Sequence, residues 1–374
     1  MKILFSTDQV YLHGGIEKVM AEKANYFVRE FGFEVFILTS EQKNFPACYP
    51  LDKAIKLIDI GIEYERESSY LSWVNVKKIY KHYRKLNAQL AKIKPDVVIS
   101  VNYAFDFYWL PFVFRKIPKF KEFHSSRYFV HAARENSRSF IKKIKYKLDD
   151  YIESKFDKLV LLNKDEMPFY HSQNLIVIPN PITPIAMQAT LQNKKAIAAG
   201  RIAPVKGFEN LIDAWSKVSL SHPDWILEIY GQDYLDSQRK LQEQINRLGL
   251  RDKIIFAGTS NAMRETMSDY SMYLMTSQTE CFPMVLLESL SIGLPIVSFD
   301  SPTGPRNIIT SEEDGFLVEY NNNDALAQKI IFLMSDEQQR KEFGLKAKMN
   351  SRRFSPEIVM QQWKDLLLAT IKTP

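Results

Sequence analysis

The chain has 374 residues, 45% of them hydrophobic and 25% charged, an ordinary globular balance with length enough for two domains. A formal charge of +6 is too mild to mark a nucleic-acid binder, and no apolar run reaches the roughly 18 residues that a membrane span needs. Cys48 and Cys281 alone make neither a metal cage nor a disulfide framework, and "MKILFSTDQV" reads as a first strand, not a signal peptide, so a cytoplasmic protein is expected.

In chain order, "KILFST" is a strand, "GGIEKVMAEKANYFVREFG" an amphipathic helix opened by two glycines, and "EVFILTS" the next strand. The basic, aromatic helix "SWVNVKKIYKHYRKLNAQLAKIK" leads to the strand "DVVISV", and "KFKEFHSS" ends a short strand at His124. "SFIKKIKYKLDDYIESKF" is helical, "DKLVLLN" is a strand, and "LIVIPNPI" is a strand stopped by prolines. "TPIAMQATLQN" is polar and unpatterned and reads as a linker. The alternation then restarts with the strands "KAIAAG", "WILEIYG", "KIIFAG", "MYLMTS", "IVSF" and "GFLVEY", separated by helical segments, and the chain closes on helices. The predicted fold class is α/β: two Rossmann-like parallel-sheet domains facing a central cleft, residues 1–185 and 186–355, with a last helix, 356–374, packing back on the first.

In "ECFPMVLLESLSIGLPIVSFD" two glutamates, Glu280 and Glu288, bracket an apolar run. Pro283 suits a helix start, Gly293 and Pro295 its end, and the helix between is apolar on nearly every face. Glu288 lies in the middle of it, where a carboxylate costs several kcal/mol unless something hydrogen-bonds it. A sugar diol is one such partner; a thin solvent stripe is the alternative. "AAGRIAPVKGFENL" puts Arg201 and Lys206 in one strand-to-helix loop, where a fork of donors, a mobile cation and a helix N-terminus make a diphosphate cradle. Such a pair can equally be solvated, and no Walker loop is present. His13, Gly14 and Gly15 follow the first strand without the three-glycine dinucleotide spacing. Taken together, Arg201, Lys206, Glu280 and Glu288 outline a nucleoside-diphosphate-sugar site.

At these residues the chain resembles family-4 retaining glycosyltransferases of GT-B architecture, through "GGIEKVM", "VIPNPI", "GRIAPVKGFENLI", "TECFPMVLLESLSIGLPIVSFD" and "GPRNIITSEEDGFLV". The resemblance implies that Arg201 and Lys206 bind the donor diphosphate, Glu280 the transferred sugar and Glu288 the ribose. His124 would lie near the reacting sugar, and Gly15 would let the backbone approach the phosphate. The implied catalytic set is His124, Arg201, Lys206 and Glu280; the donor-binding set adds Gly14, Gly15, Phe282, Pro283, Met284, Val285 and Glu288. Two departures stand out: Asp233 where members commonly carry a second glycine, and Asn307 where a subgroup often has an acid.

The implied reaction moves a hexose or N-acetylhexosamine from a UDP-linked donor to a glycan or lipid-linked glycan, with retention. No metal is expected, since the chain has no D-x-D, and no cofactor, the nucleotide-sugar being a substrate. The rival expectations are another GT-B enzyme, such as a sugar-nucleotide epimerase, or a non-catalytic sugar-nucleotide binder. Residues 111–150 hold 11 Lys or Arg against 4 Asp or Glu, with phenylalanines interleaved. That stretch reads either as a face for an anionic membrane surface or as a solvated face over a core stripe.

Overall fold

A computed structural model describes residues 1–68, 72–101 and 105–371. The chain divides into two compact units: Met1–Pro179 together with the segment from Pro356 onward, and Asn180–Ser355.

The first unit has seven strands: β1 (Lys2–Thr7), β2 (Glu34–Thr39), β3 (Lys56–Asp59), β4 (Val97–Val101), β5 (Lys119–Glu122), β6 (Lys158–Leu161) and β7 (Leu175–Val177). They form one parallel sheet in the order β3-β2-β1-β4-β5-β6-β7. Its helices are α1 (Gly15–Arg29), α2 (Trp73–Ile93), α3 (Tyr128–Glu135) and α4 (Phe140–Glu153). Strands β4 and β5 are buried along their whole length, and β1, β2 and β6 along all but their first residue, as expected when helices cover both faces. Strand β3 was not anticipated; "KLID" is an edge strand with both ends exposed and no apolar run to announce it.

The second unit has β8 (Lys195–Ala199), β9 (Ile226–Tyr230), β10 (Ile254–Gly258), β11 (Met272–Met275), β12 (Ile296–Phe299) and β13 (Gly315–Val318), in the order β10-β9-β8-β11-β12-β13. Its helices are α5 (Phe208–Ser221), α6 (Ser237–Arg247), α7 (Met263–Met267), α8 (Met284–Ser291), α9 (Asn323–Ser335) and α10 (Glu337–Asn350). Trp215 is fully buried among Ala198, Leu227, Ile229 and Leu274 in the core. The segment read as a linker packs onto this unit instead. Ala189 and Leu191 are buried, the Ala189 amide donates to Ile292 O at 2.8 Å, and the Thr190 amide to Ser268 O at 2.9 Å. Only two of its eleven residues are buried, too few to make a period, which is why composition missed it.

The last helix, α11 (Pro356–Ile371), belongs to the first unit: Val359, Met360, Trp363, Leu366 and Leu367 complete a core with Ile3, Phe5 and Phe27. The sequence reading ran this helix to 374; residues 372–374 lie outside the described residues. In each sheet the strand order reverses once, between β1 and β4 and between β8 and β11. At such a switch point the loops leaving the carboxyl ends part in opposite directions and open a crevice.

Candidate active site

In the second unit the loops at the switch point are stitched into one surface. Gly207 has φ +61°, and a Cβ there would lie 2.2 Å from Thr276 O, so only glycine lets the β8 loop press against the end of β11. The Gln278 amide donates to Val205 O at 2.8 Å, and Thr276 Oγ1 to Lys206 O at 3.3 Å. A Cβ on Gly231 would sit 1.9 Å from Gly200 O, which joins the end of β9 to the same place. On the other side Thr303 Oγ1, from the loop after β12, donates to Glu280 O at 2.7 Å.

This stitching brings Lys206 and Glu280 together across 74 residues: Lys206 Nζ donates to Glu280 Oε1 at 2.6 Å. Both side chains are largely covered, 22% and 14% exposed, yet both remain reachable from outside. Arg201 is exposed, its guanidinium 4.8 Å from the centre of the Tyr234 ring. A cation resting on an aromatic face keeps its N–H edge available.

Glu288 is buried in the apolar helix α8, 6% exposed. Tyr273 links the two acids. Its hydroxyl donates to Ala199 O at 2.8 Å, and burial above all, with the negative charges of Glu280 and Glu288 added, pushes the phenol far above its usual range. Pro283 caps α8 and Met284 and Val285 open it, half-buried; helix amides in a first turn have no carbonyl partner within the helix. Phe282 is buried, its ring edge-on to Phe354 at 5.5 Å.

Both departures from the family pattern have local roles. Asp233 Oδ1 accepts from the Gln238 amide at 2.9 Å, a carboxylate satisfying the start of α6. Asn307 Nδ2 donates to Thr303 O, a bond that an ionised acid could not donate, and so fastens the loop that holds Glu280.

In the first unit Gly14 is the extended residue before α1, and Gly15 begins the helix. The Glu17 carboxylate folds back over this turn: a Cβ on Gly14 would lie 2.3 Å from Glu17 Oε2, and Gln9 Nε2 donates to Glu17 Oε1 at 2.7 Å. Burial pushes Glu17 up from the usual carboxylate range, and the Asp8 charge adds to it. A phosphate approaching Gly14 and Gly15 therefore meets a carboxylate already in place. His124 follows β5, its side chain only 4% exposed and its Nε2 3.2 Å from Glu122 Oε1. The structure thus assembles Lys206, Glu280, Glu288, Arg201 and the α8 start around one switch point, with His124, Gly14 and Gly15 in the other unit. Sequence reasoning passed over Glu122, Lys23 and Tyr273, whose partners lie far away along the chain.

Residues 186–349 match the family described as Glycosyl transferases group 1. The second unit is a group 1 glycosyltransferase domain. Over 194 residues the chain is 36% identical to the "Exopolysaccharide phosphotransferase SCO2592" of Streptomyces coelicolor, spanning 51% of this chain and 20% of that protein. It is 31% identical over 219 residues to the "Amylovoran biosynthesis glycosyltransferase AmsD" of Erwinia amylovora, spanning 58% and 59%. The chain thus aligns with less than two thirds of the length of either relative. The fold matches that of the pneumococcal O-GlcNAc transferase GtfA, solved with UDP and GlcNAc, at a TM-score of 0.76, 16% identity and coverage of 100% and 99%. Two parallel-sheet α/β units of the GT-B type are therefore the fold of this chain.

Proposed function

We propose that this group 1 glycosyltransferase domain chain is a retaining, metal-independent enzyme. It transfers a hexose or N-acetylhexosamine from a UDP-linked donor to a glycan or lipid-linked glycan. The observation that carries the reading is the Lys206–Glu280 pair at the switch point, with Arg201 in the same loop and the α8 N-terminus beside Glu280. Lys206, Arg201 and the helix end supply positive charge where a leaving diphosphate gathers negative charge. Glu288 and Glu280 supply acceptors for ribose and sugar hydroxyls. The pneumococcal neighbour solved with UDP and GlcNAc supports the donor class.

Glu280 is ion-paired with Lys206, so it is poorly placed to act as the nucleophile of a double displacement, in which a second carboxylate stands about 5 Å from the acid. Retention then follows from front-face return. The bond from the anomeric carbon to the diphosphate oxygen breaks, that oxygen takes the acceptor proton, and the acceptor oxygen bonds the anomeric carbon on the same face. His124 and nearby backbone orient the sugar.

The test is a panel of nucleotide sugars with and without glycan acceptors, products read by NMR. Transfer with the donor's anomeric configuration preserved, undiminished by chelator, is expected. Donor turnover without an acceptor would point to an epimerase, binding without turnover to a sugar-nucleotide binder. A sugar phosphate joined to the acceptor would fit the phosphotransferase name of the Streptomyces relative.

The site of action is proposed to be a membrane surface. No helix among the described residues is long and apolar enough to cross a membrane. Helix α4, however, turns its apolar side outward: Phe140 is 75% exposed, Ile141 79%, Ile144 52%, Leu148 47% and Tyr151 53%. At about 100° per residue these five fall within one arc of about 100°, with Lys145 and Lys147 on its two borders. An amphipathic helix packed on a core shows water its polar side; this one shows its apolar side rimmed by cations, which suits an anionic bilayer. Sedimentation with phosphatidylglycerol vesicles should carry the protein down at low salt. Ile141→Glu together with Ile144→Glu should leave it in the supernatant; equal sedimentation of both forms rejects the surface.

A further inference from the structure

Beneath the first unit's sheet end lies a charged group that the proposed reaction does not use. Lys23, in the middle of α1, and Glu122, the last residue of β5, are joined by an ion pair with side-chain exposures of 2% and 1%. Lys23 Nζ also lies 4.6 Å from the centre of the Trp363 ring, so α11 closes the pair off from water. Two charges at such depth carry a desolvation penalty that their mutual attraction seldom repays, and an apolar pair of similar volume serves stability at least as well. Stability alone therefore gives a poor reason for this pair.

Its second contact gives a better one. The Glu122 oxygen that accepts from Lys23 is the one 3.2 Å from His124 Nε2, at an approach too oblique for a good hydrogen bond. Glu122 Oε2 is buried without a hydrogen-bond partner. Burial by itself would raise this carboxyl, but the Lys23 ammonium beside it outweighs burial and, with His124 adjacent, holds Glu122 well below the usual carboxylate range. Histidine ring orientation and tautomer are set by what faces one nitrogen, and a fixed carboxylate is the usual means. Catalytic contacts that are oblique in the empty protein commonly straighten when substrate arrives.

We propose that the buried Lys23–Glu122 pair is a positioning device for His124: it presents a fixed carboxylate to Nε2, and so holds the imidazole and the turn after β5 in one orientation toward the reacting sugar. The sugar-facing part of this inference rests on the glycosyltransferase reading above. Lys23 and Glu122 act through His124 and touch no substrate. Lys121 lies near the same sheet end: its Nζ donates to Ser100 Oγ at 3.2 Å, and the charges of Asp106, Glu122 and Glu153 all act on it.

The double variant Lys23→Met with Glu122→Leu removes both charges together and strands neither. Long-range proton–nitrogen NMR of labelled histidine reads the tautomer, His124 being assigned by the signal lost in His124→Asn. In the unaltered protein Nε2 carries a proton. In the double variant its signal moves toward that of a mixed tautomer, and kcat falls about 10- to 100-fold with donor KM within about twofold, the range seen when ligand-orienting partners are removed. An unmoved Nε2 signal, or an unchanged kcat, overturns the proposal. Should that variant not fold, Lys23→Gln with Glu122→Gln carries the same readouts. Turnover in His124→Ala equal to that of the unaltered protein would instead sink the role of His124 itself, leaving the tautomer result to be judged separately.

Discussion

Lys206→Ala lowers kcat for sugar transfer by about 100- to 1,000-fold, near 3 kcal/mol of barrier, the scale on which a preorganised donor to developing negative charge acts. The ammonium donates to Glu280 Oε1 at 2.6 Å in the empty protein, so it stands where a diphosphate on the α8 side would find it. The fold does not depend on it. The β8 loop is held by the backbone contacts of Val205 with Gln278, by Thr276 Oγ1 on the Lys206 carbonyl and by the close fit of Gly207. With side chains 22% and 14% exposed, the ion pair contributes to folding no more than about 1 kcal/mol after screening by water. Ligand-free thermal unfolding of the variant should therefore stay close to that of the unaltered protein. Calorimetry beside initial rates is the check. A rate loss below tenfold, or a collapse in ligand-free stability, would make the lysine structural.

Trp363→Ala costs about 3–5 kcal/mol of stability, the range for deleting a large aromatic from a core. The indole is 1% exposed and sits with Phe5, Phe27 and Ile37 in the first unit's core. Its removal also uncovers Lys23 Nζ, 4.6 Å from the ring centre. The loss should be local. Hydrogen exchange in Trp363→Ala should accelerate in β1, β2 and α1, while α5 and β9, in the second unit's own core, keep their protection. A denaturation midpoint shifted by less than the equivalent of about 1 kcal/mol would mean that α11 is only loosely seated.

The β-α alternation was legible because parallel strands covered on both faces are written as near-continuous apolar runs, "DVVISV" and "IVSF" among them. "KLID" escaped for the opposite reason. The cradle was legible in part. Arg201, Lys206, Glu280 and Glu288 were found from their loops and helix, but nothing local says that Lys206 meets Glu280, since that contact depends on Gly207 lying flat against Thr276. The Glu17 carboxylate over Gly14 and the depth of His124 were equally unreadable, because a first helical turn and a strand end do not say which way their side chains fold. Amphipathicity in "SFIKKIKYKL" was plain, but periodicity fixes two faces without saying which one water sees; only packing reveals that the apolar one is outermost.

Because Val359, Met360, Trp363, Leu366 and Leu367 complete the core that β1 and α1 begin, the order of synthesis and the order of folding differ in this chain. The Asn180–Ser355 unit is continuous and can close as soon as it leaves the ribosome. The amino-terminal unit emerges first yet lacks its final helix until a further ~180 residues are made, a wait of roughly 10–35 s at ordinary elongation rates. During that interval Phe5, Phe27 and Lys23 have no indole above them. The nascent chain carries an open apolar seam that a chaperone can hold, and a stall or early stop before Trp363 leaves that seam unsealed.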